Sequence, residues 1–398
     1  NLVSQTLSLH RLLQVVVRDA LPKKKQKAWI QRAVILITLT FPDPTQISQW
    51  GICEQLLPHA LICIMWIQQL QMSFQEEAKL LFQTGRYLFE CARYAEAEPL
   101  YQQALSIWEQ ETEPDYLKIA RSLNSLAFLY ERQGRYTEAE PLYQRALIVW
   151  EQGSESDNHE IATCLNNLAE LYRLCGRYTE AEALYQRTLA FSREKLGLEH
   201  PETAHSLNNL ALLYHAQGKY IEAEPLSQQA LSIREQVLGS EHPATTMSIH
   251  NMAKLYHAQG KYSEAEALYQ QTLALREQVL GEKHPFTATC LNNLGELYHE
   301  QGRYAEAEVL YQRALAIREQ MLGERHPFTA TCLNNLAKLY HVQNRYAEAE
   351  MFYQQAWHIR QQRLGSEHPH TQITRSYYAS FLRSMGRNEE ARKVEESG

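Results

Sequence analysis

Residues 284–325 read HPFTATCLNNLGELYHEQGRYAEAEVLYQRALAIREQMLGER, and at His326-Pro327 almost the same passage begins again. The repetition is metrical. Tyr94, Tyr136, Tyr178, Tyr220, Tyr262, Tyr304 and Tyr346 each fall 42 residues after the last, and Asn388 holds the next place. The pairs His200-Pro201, His242-Pro243, His284-Pro285, His326-Pro327 and His368-Pro369 keep the same step. A fixed period between about 20 and 50 residues marks a repeat architecture. A repeat array also accommodates 398 residues without one oversized core, because each unit packs only on its neighbours.

Within the quoted unit, Pro285 suits the first helical position, where its missing N–H costs nothing. Leu291, Leu294, Gly295 and Tyr298 then fall at i, i+3, i+4 and i+7, one apolar stripe of a helix. Gly302 offers the left-handed conformation that ends helices. A second helix follows with Ala307, Leu310, Tyr311, Ala314 and Ile317 inward, and Gly323 closes it. One such hairpin cannot bury its own apolar face, and stacking buries it. The pattern L-x-x-L-G-x-x-Y…A-x-x-x-Y-x-x-A resembles the tetratricopeptide repeat, and the 42-residue period with its LGxxHPxT connector resembles the kinesin light chain variety. The expected fold is all-α: a right-handed superhelical solenoid of about eight repeats over 74–398, with a non-repeat segment at 1–73. The first unit, about 74–112, is irregular, with Phe82 and Gln83 where others carry asparagine. The eighth, containing SYYASFLRSMGRNEEARK, is short and reads as a cap.

Each unit also carries polar residues off that stripe. Asparagine pairs recur at Asn166-Asn167, Asn208-Asn209, Asn292-Asn293 and Asn334-Asn335, with partial copies at Asn124-Ser125 and His250-Asn251. Asn is a middling helix former that competes with the backbone, so something must hold it there. The resemblance implies that first helices line a concave groove and that asparagines here contact an extended peptide. A side-chain amide, donor and acceptor at once, suits a peptide backbone of any sequence. The same residues would equally serve as a ladder between successive first helices, and the sequence leaves both open. One turn on lie Arg173, His215, His257, His299 and His341. They do not suggest a metal: zinc needs nitrogens at about 2 Å, whereas packed helix axes stand roughly 8–10 Å apart. Between the two series Glu170, Leu212, Lys254, Glu296 and Lys338 change from unit to unit on an otherwise constant frame, the pattern of a specificity facet. Glu306, Glu308, Arg313 and Arg318 on the second helix are expected to decorate an exposed face. The connector histidines read as caps or stacking groups.

Composition narrows the function. Charged residues are 21% and the net charge is −7, which gives no electrostatic footprint for nucleic acid or an anionic membrane. Seven cysteines include no C-x-x-C pair. Cys164, Cys290 and Cys332 share one repeat position and read as small buried groups, consistent with a reducing, cytoplasmic setting. No signal peptide is visible, and ALICIMWI at 60–67 is too short to span a bilayer. GKY at 218–220 and 260–262 lacks a P-loop frame. No Ser/His/Asp or Cys/His arrangement stands outside the repeated frame, so no enzyme and no cofactor are expected.

Residues 1–73 obey another rule. TLSLHRLLQVVVRDAL reads as a short strand and helix, PKKKQK (Lys23, Lys24, Lys25, Lys27) as a solvated turn, and the remainder as two apolar helices joined by PDPT. Trp29, Trp50 and the 60–67 run are expected to cap the first repeat. The order SLHRLLQVVVRD, then AW…FP…W…C…LLPHA, then repeats, resembles the region behind the NB-ARC module of bacterial STAND-type ATPases. That resemblance implies a nucleotide-binding module upstream and a sensor here, and a chain beginning at Asn1 is read as part of something longer. The expected partner is a protein or peptide; the other reading is a free-standing cargo adaptor of the kinesin light chain kind.

Overall fold

The computed structural model describes residues 22–44, 46, 49–70, 72, 74–111, 114–151 and 158–396. Among them are eighteen helices and no strand. The strand and helix expected over 6–21 lie outside the described residues. By contacts the chain divides into two compact units, 1–122 and 123–398.

In the first unit, α1 (Lys23–Thr40) and α2 (Trp50–Gln69) pack on each other and on α3 (Gln75–Glu90), which pairs with α4 (Tyr94–Glu109). The basic PKKKQK stretch is not a turn: Pro22 precedes α1, and Lys23, Lys24, Lys25 and Lys27 lie within it. Pro's fixed φ is already helical, and this starts the helix where a run of like charges suggested a loop. The 60–67 run belongs to a 20-residue helix, α2, long and apolar enough by length and composition to cross a membrane. Its Cys53, Leu57, Ala60, Cys63, Ile64 and Ile67 are buried in this unit. The expected cap forms in part. Trp50 and Phe41 meet Tyr87 edge-on at 6.1 and 6.2 Å, whereas Trp29 is 58% exposed and lies under Arg32 instead.

The second unit repeats one hairpin. Its first helices are α5 (Tyr116–Arg132, which begins just before the unit), α7 (Asn158–Leu174), α9 (Pro201–Ala216), α11 (Pro243–Ala258), α13 (Pro285–Glu300), α15 (Pro327–Val342) and α17 (Pro369–Ser384). Its second helices are α6 (Tyr136–Glu151), α8 (Tyr178–Lys195), α10 (Tyr220–Leu238), α12 (Tyr262–Val279), α14 (Tyr304–Leu322), α16 (Tyr346–Leu364) and the short α18 (Asn388–Glu396). Second helices α8, α10, α12, α14 and α16 each pack on their own first helix and on the next, α6 packs on α7 and α18 on α17, which makes the array a solenoid. The expected core is present: Leu291, Leu294, Tyr298, Ala307, Tyr311, Ala314 and Ile317 are all buried. Gly295 allows a close helix approach, since a Cβ there would stand 2.9 Å from the Tyr311 ring. Cys164, Cys290 and Cys332 are fully buried, and burial pushes the Cys290 thiol up to about 12.

The connectors are N-caps. The Nδ1 atoms of His200, His242, His284, His326 and His368 each accept from the backbone N–H two residues on, at 3.1–3.2 Å. The acidic and basic residues of the second helices do more than decorate. Glu308 accepts from the next repeat's Tyr340 hydroxyl at 2.9 Å and from Arg345 at 2.9 Å, while Arg345 lies over the Tyr340 ring at 3.8 Å. Glu266, Tyr298 and Arg303 repeat the clamp, as do Glu140, Tyr172 and Arg177. Arg318 is buried rather than exposed, donating to the Phe328 carbonyl and to Thr289. Of the four residues expected on an exposed face, Glu306 stays local, pairing with Arg303 three residues back, and Arg313 reaches Glu277 of the preceding repeat.

Candidate functional site

The first helices carry every candidate residue. A cleft of about 970 Å³ opens along their inner faces, lined by residues from α9, α11, α13, α15 and α17 and by Tyr262 and Tyr269 of α12. His215, Lys254, His257, Asn292, Asn293, Glu296 and Asn335 all reach it. Side chains from five repeats therefore converge because one helix face recurs every 42 residues on a curved stack.

The asparagines resolve into two kinds. The first of each pair is buried: Asn208 is 4% exposed, and Asn292 and Asn334 are each 5%. The second is half-buried and reaches back to the preceding repeat. Nδ2 of Asn251 donates to Oδ1 of Asn208 at 3.0 Å, and Asn335 donates to Asn292 at 3.1 Å. Asn167 donates to Asn124 at 3.1 Å. Asn293 meets Nε2 of His250 at 3.0 Å, so the imidazole takes the asparagine's place in the ladder. Burial, with Arg276 and Lys254 nearby, holds that histidine's pKa well below the usual range, and the neutral ring keeps a nitrogen lone pair for the amide. Each rung joins residues 43 apart, one repeat and one position. The amides thus form the structural ladder, and the first asparagine of each pair has at most one free face for a ligand. Two rungs are open. Asn166 Oδ1 and Asn334 Oδ1 are buried without a partner, and the place of a second asparagine beyond Asn334 is taken by Tyr377. Asn209, facing Asn166, forms no such bond.

The next series divides as well. Arg173 is held by Glu170 in a two-pronged pair at 2.5 and 2.7 Å. His257 meets Glu300 at 2.9 Å and packs edge-on against Tyr262; His341 meets Ser384 at 3.1 Å and packs edge-on against Phe381. The His215 and His299 rings pack at a tilt against Tyr220 and Tyr304, and the Nε2 of each is buried without a partner. Burial depresses both, and Lys254 and Lys338 respectively depress them further. The same repeat position on α5 is Glu131, which sequence reasoning did not single out. It is 5% exposed, accepts from the Tyr143 hydroxyl at 3.1 Å, and burial raises its pKa to about 7.

Among the facet residues, Lys254 is open to water yet stands inside the curve of the array. Crowding by protein and by Arg173 lowers its pKa, while Glu296 and Glu170 work the other way. Lys338 leaves the cleft floor to lie over the Tyr377 ring at 3.8 Å. Thr331 and His370 also line the cleft and were not legible. His370 sits two residues past a connector histidine, where other repeats carry Phe286 or Phe328, and only the curvature brings it inward. Among the described residues, no group of three or more His, Cys, Asp or Glu is placed to hold a metal ion.

The tetratricopeptide repeat profile matches residues 76–152, 118–194, 160–236, 202–278, 244–320 and 298–362. The chain belongs to the tetratricopeptide repeat family. Such repeats mediate protein–protein interaction, and the fold is a scaffold that is generally not enzymatic. No curated protein sequence matches the chain. Among solved structures, it is similar to a putative kinesin light chain with nearly identical repeats from Podosopora anserina, at 29% identity, covering 53% of this chain and 98% of that one, with a TM-score of 0.43. The apo quorum sensor NprR from B. thuringiensis matches at 15% identity over 87% of this chain and 95% of its own, TM-score 0.53, which speaks for the fold. A STAND protein with a tetratricopeptide repeat sensor from Pyrococcus horikoshii matches at 13% identity over 85% of this chain and 52% of its own, TM-score 0.49.

Proposed function

We propose that this tetratricopeptide array binds a protein or peptide segment in the cleft formed by its first helices, as the ligand-sensing half of a STAND-type signalling ATPase. The observation that carries the binding part is the convergence of Lys254, Glu296, His215 and His257 on one open cleft. The ladder underneath holds their helices in register. The variable facet sits above a fixed amide row, so the frame stays constant while charges choose the ligand. Because the ladder consumes the Asn208 and Asn292 oxygens, recognition falls to the residues one turn on and to the free faces of Asn293 and Asn335. The sensor part rests on the sequence order of the 1–73 segment ahead of the repeats, which resembles the region behind an NB-ARC module. In such an assembly, ligand binding shifts an inactive–active equilibrium by its differential affinity for the two states.

The binding part is tested with Lys254→Glu combined with Glu296→Lys. Partners recovered on the parent array are measured for affinity against this variant by calorimetry. Loss of binding with an unchanged unfolding midpoint supports the cleft; unchanged affinity removes it. Reading the gene upstream of Asn1 tests the sensor part: a nucleotide-binding module supports it, and an open reading frame that starts within this chain favours the adaptor reading.

A further inference from the structure

Both ends of the second unit meet. The α5–α6 turn and the α16–α17 connector lie at opposite ends of its sequence, yet a Cβ on Gly134 would stand 3.1 Å from the His368 ring and 3.3 Å from Pro369. The backbone of Arg132 lies near enough to the His368 ring to raise its pKa against the burial that lowers it to about 4. Since its Nδ1 accepts from the His370 N–H at 3.1 Å, the neutral ring carries its proton on Nε2. The His370 ring stacks on His368 at 5.3 Å and lines the cleft.

The charges that act on His370 are cations, and the acid beside Arg132, Glu131, is buried with its pKa raised to about 7. Arg360, 5% exposed, donates to the His370 carbonyl, to Thr374 and to Thr331, all neutral acceptors, and its Nε is buried with no partner. Arg132 lies over the Phe128 ring at 4.6 Å and, among the described residues, forms no ion pair. Burial, Arg360 and Arg132 all depress His370, and no acid counters them. Arg360 continues the buried series Arg234, Arg276 and Arg318, which likewise donate to carbonyls and hydroxyls, whereas the clamp cations Arg177, Arg303, Arg345 and Arg387 pair with Glu140, Glu266, Glu308 and Glu350; what the closure adds to this series is Arg132 and His370 beside Arg360. A buried guanidinium without a counter-charge carries a desolvation cost that an anion would offset.

We infer that the Arg132–His370 face, backed by Arg360 and bordered by Thr331, is an oxyanion site that clamps the two ends of the array together. Its ligand chemistry is a phosphate or carboxylate oxygen, received by guanidinium and imidazole N–H donors. An anion there touches residues from both ends, so it stabilises the closed array over an opened one. The site stands independently of the peptide-binding reading, because it is defined by the closure rather than by the variable facet.

The test titrates the full chain with sodium phosphate, and separately with sodium acetate, at constant ionic strength and pH 7. Thermal unfolding and small-angle scattering are the readouts. The expected result is a saturable rise in midpoint without expansion, with half-saturation about tenfold weaker in Arg132→Gln and in His370→Gln, the loss of one charge-assisted contact. A response to phosphate alone assigns a phosphoryl group, and a response to acetate assigns a carboxylate. Thr331→Glu, which places a fixed carboxylate beside Arg360 and His370, should raise the midpoint and remove the phosphate response. No saturable response in the parent, an equal response in all variants, or a Thr331→Glu protein of lower midpoint would overturn the site.

Discussion

The amide ladder makes a prediction that separates it from a row of isolated polar residues. Asn292 and Asn335 share a rung at 3.1 Å, whereas Asn166 and Asn209 occupy the same two repeat positions without one. Asn292→Ala and Asn335→Ala each lose the same bond, so their costs should not add. The coupling measured by the double-mutant cycle should equal the net worth of one neutral hydrogen bond, about 0.5–1.5 kcal/mol. The cycle on Asn166 and Asn209 should give a coupling of about zero, within the roughly 0.3–0.5 kcal/mol that independent sites show. Burial is comparable at the two first positions, with Asn166 8% and Asn292 5% exposed, so loss of packing cancels between cycles. Chemical denaturation followed by helical circular dichroism measures each variant, and hydrogen exchange of α13 and α15 assigns the change to the neighbouring repeats, because repeats couple to nearest neighbours. Equal coupling in the two cycles, or none at Asn292–Asn335, would show that the amides do not hold the helices. The same logic makes Asn334→Leu nearly neutral, since its oxygen has no partner to lose, and Asn292→Leu costly.

Further perturbations probe the remaining links. Leu294→Ala removes a buried core side chain and should cost about 2–5 kcal/mol in denaturation midpoint analysis; a cost under about 0.5 kcal/mol would misplace the core face. Glu131 is an acid whose folded pKa, about 7, lies above its unfolded value near 4.3, so the folded state holds the proton more tightly. Its contribution to stability is therefore full below about pH 4 and is lost as pH rises to about 7. Glu131→Gln should flatten that slope and leave the array more stable than the parent at pH 8 by ~2–3 kcal/mol, read from unfolding at several pH values. Glu308→Gln severs half of an inter-repeat clamp and should lower the midpoint more at low salt than at high salt, since the partly exposed pair is screened; a salt-independent effect would mean that the Tyr340 contact alone matters.

The period and the core were legible because they are local. A helix face repeats every 3.6 residues and a hairpin every 42, so Leu294, Tyr298, Tyr311 and the capping histidines announce themselves in the sequence. What was not legible depends on how one repeat sits on the next. A rung between residues 43 apart requires the helix-to-helix register, and the sequence therefore left the asparagines between ladder and groove. The Glu308–Arg345 clamp spans 37 residues, while the sequence invites the i, i+4 reading, and the same local habit placed Arg318 on a surface it does not occupy. The cleft and the closure lie one level further away. A small rotation per repeat accumulates until His370 lines the same cleft as Lys254 and His368 reaches Gly134, and no single repeat encodes that sum. The candidate site is therefore distributed between two kinds of information. Among the facet charges, Lys254 and Glu296 face the cleft, while Lys338 lies over Tyr377 of the next repeat. The angle that brings Lys254 and Glu296 to one cleft is set by rungs, clamps and close approaches such as Gly295 against Tyr311. A change in those stacking residues would alter binding without touching a single cleft residue, because it would move the walls rather than their chemistry.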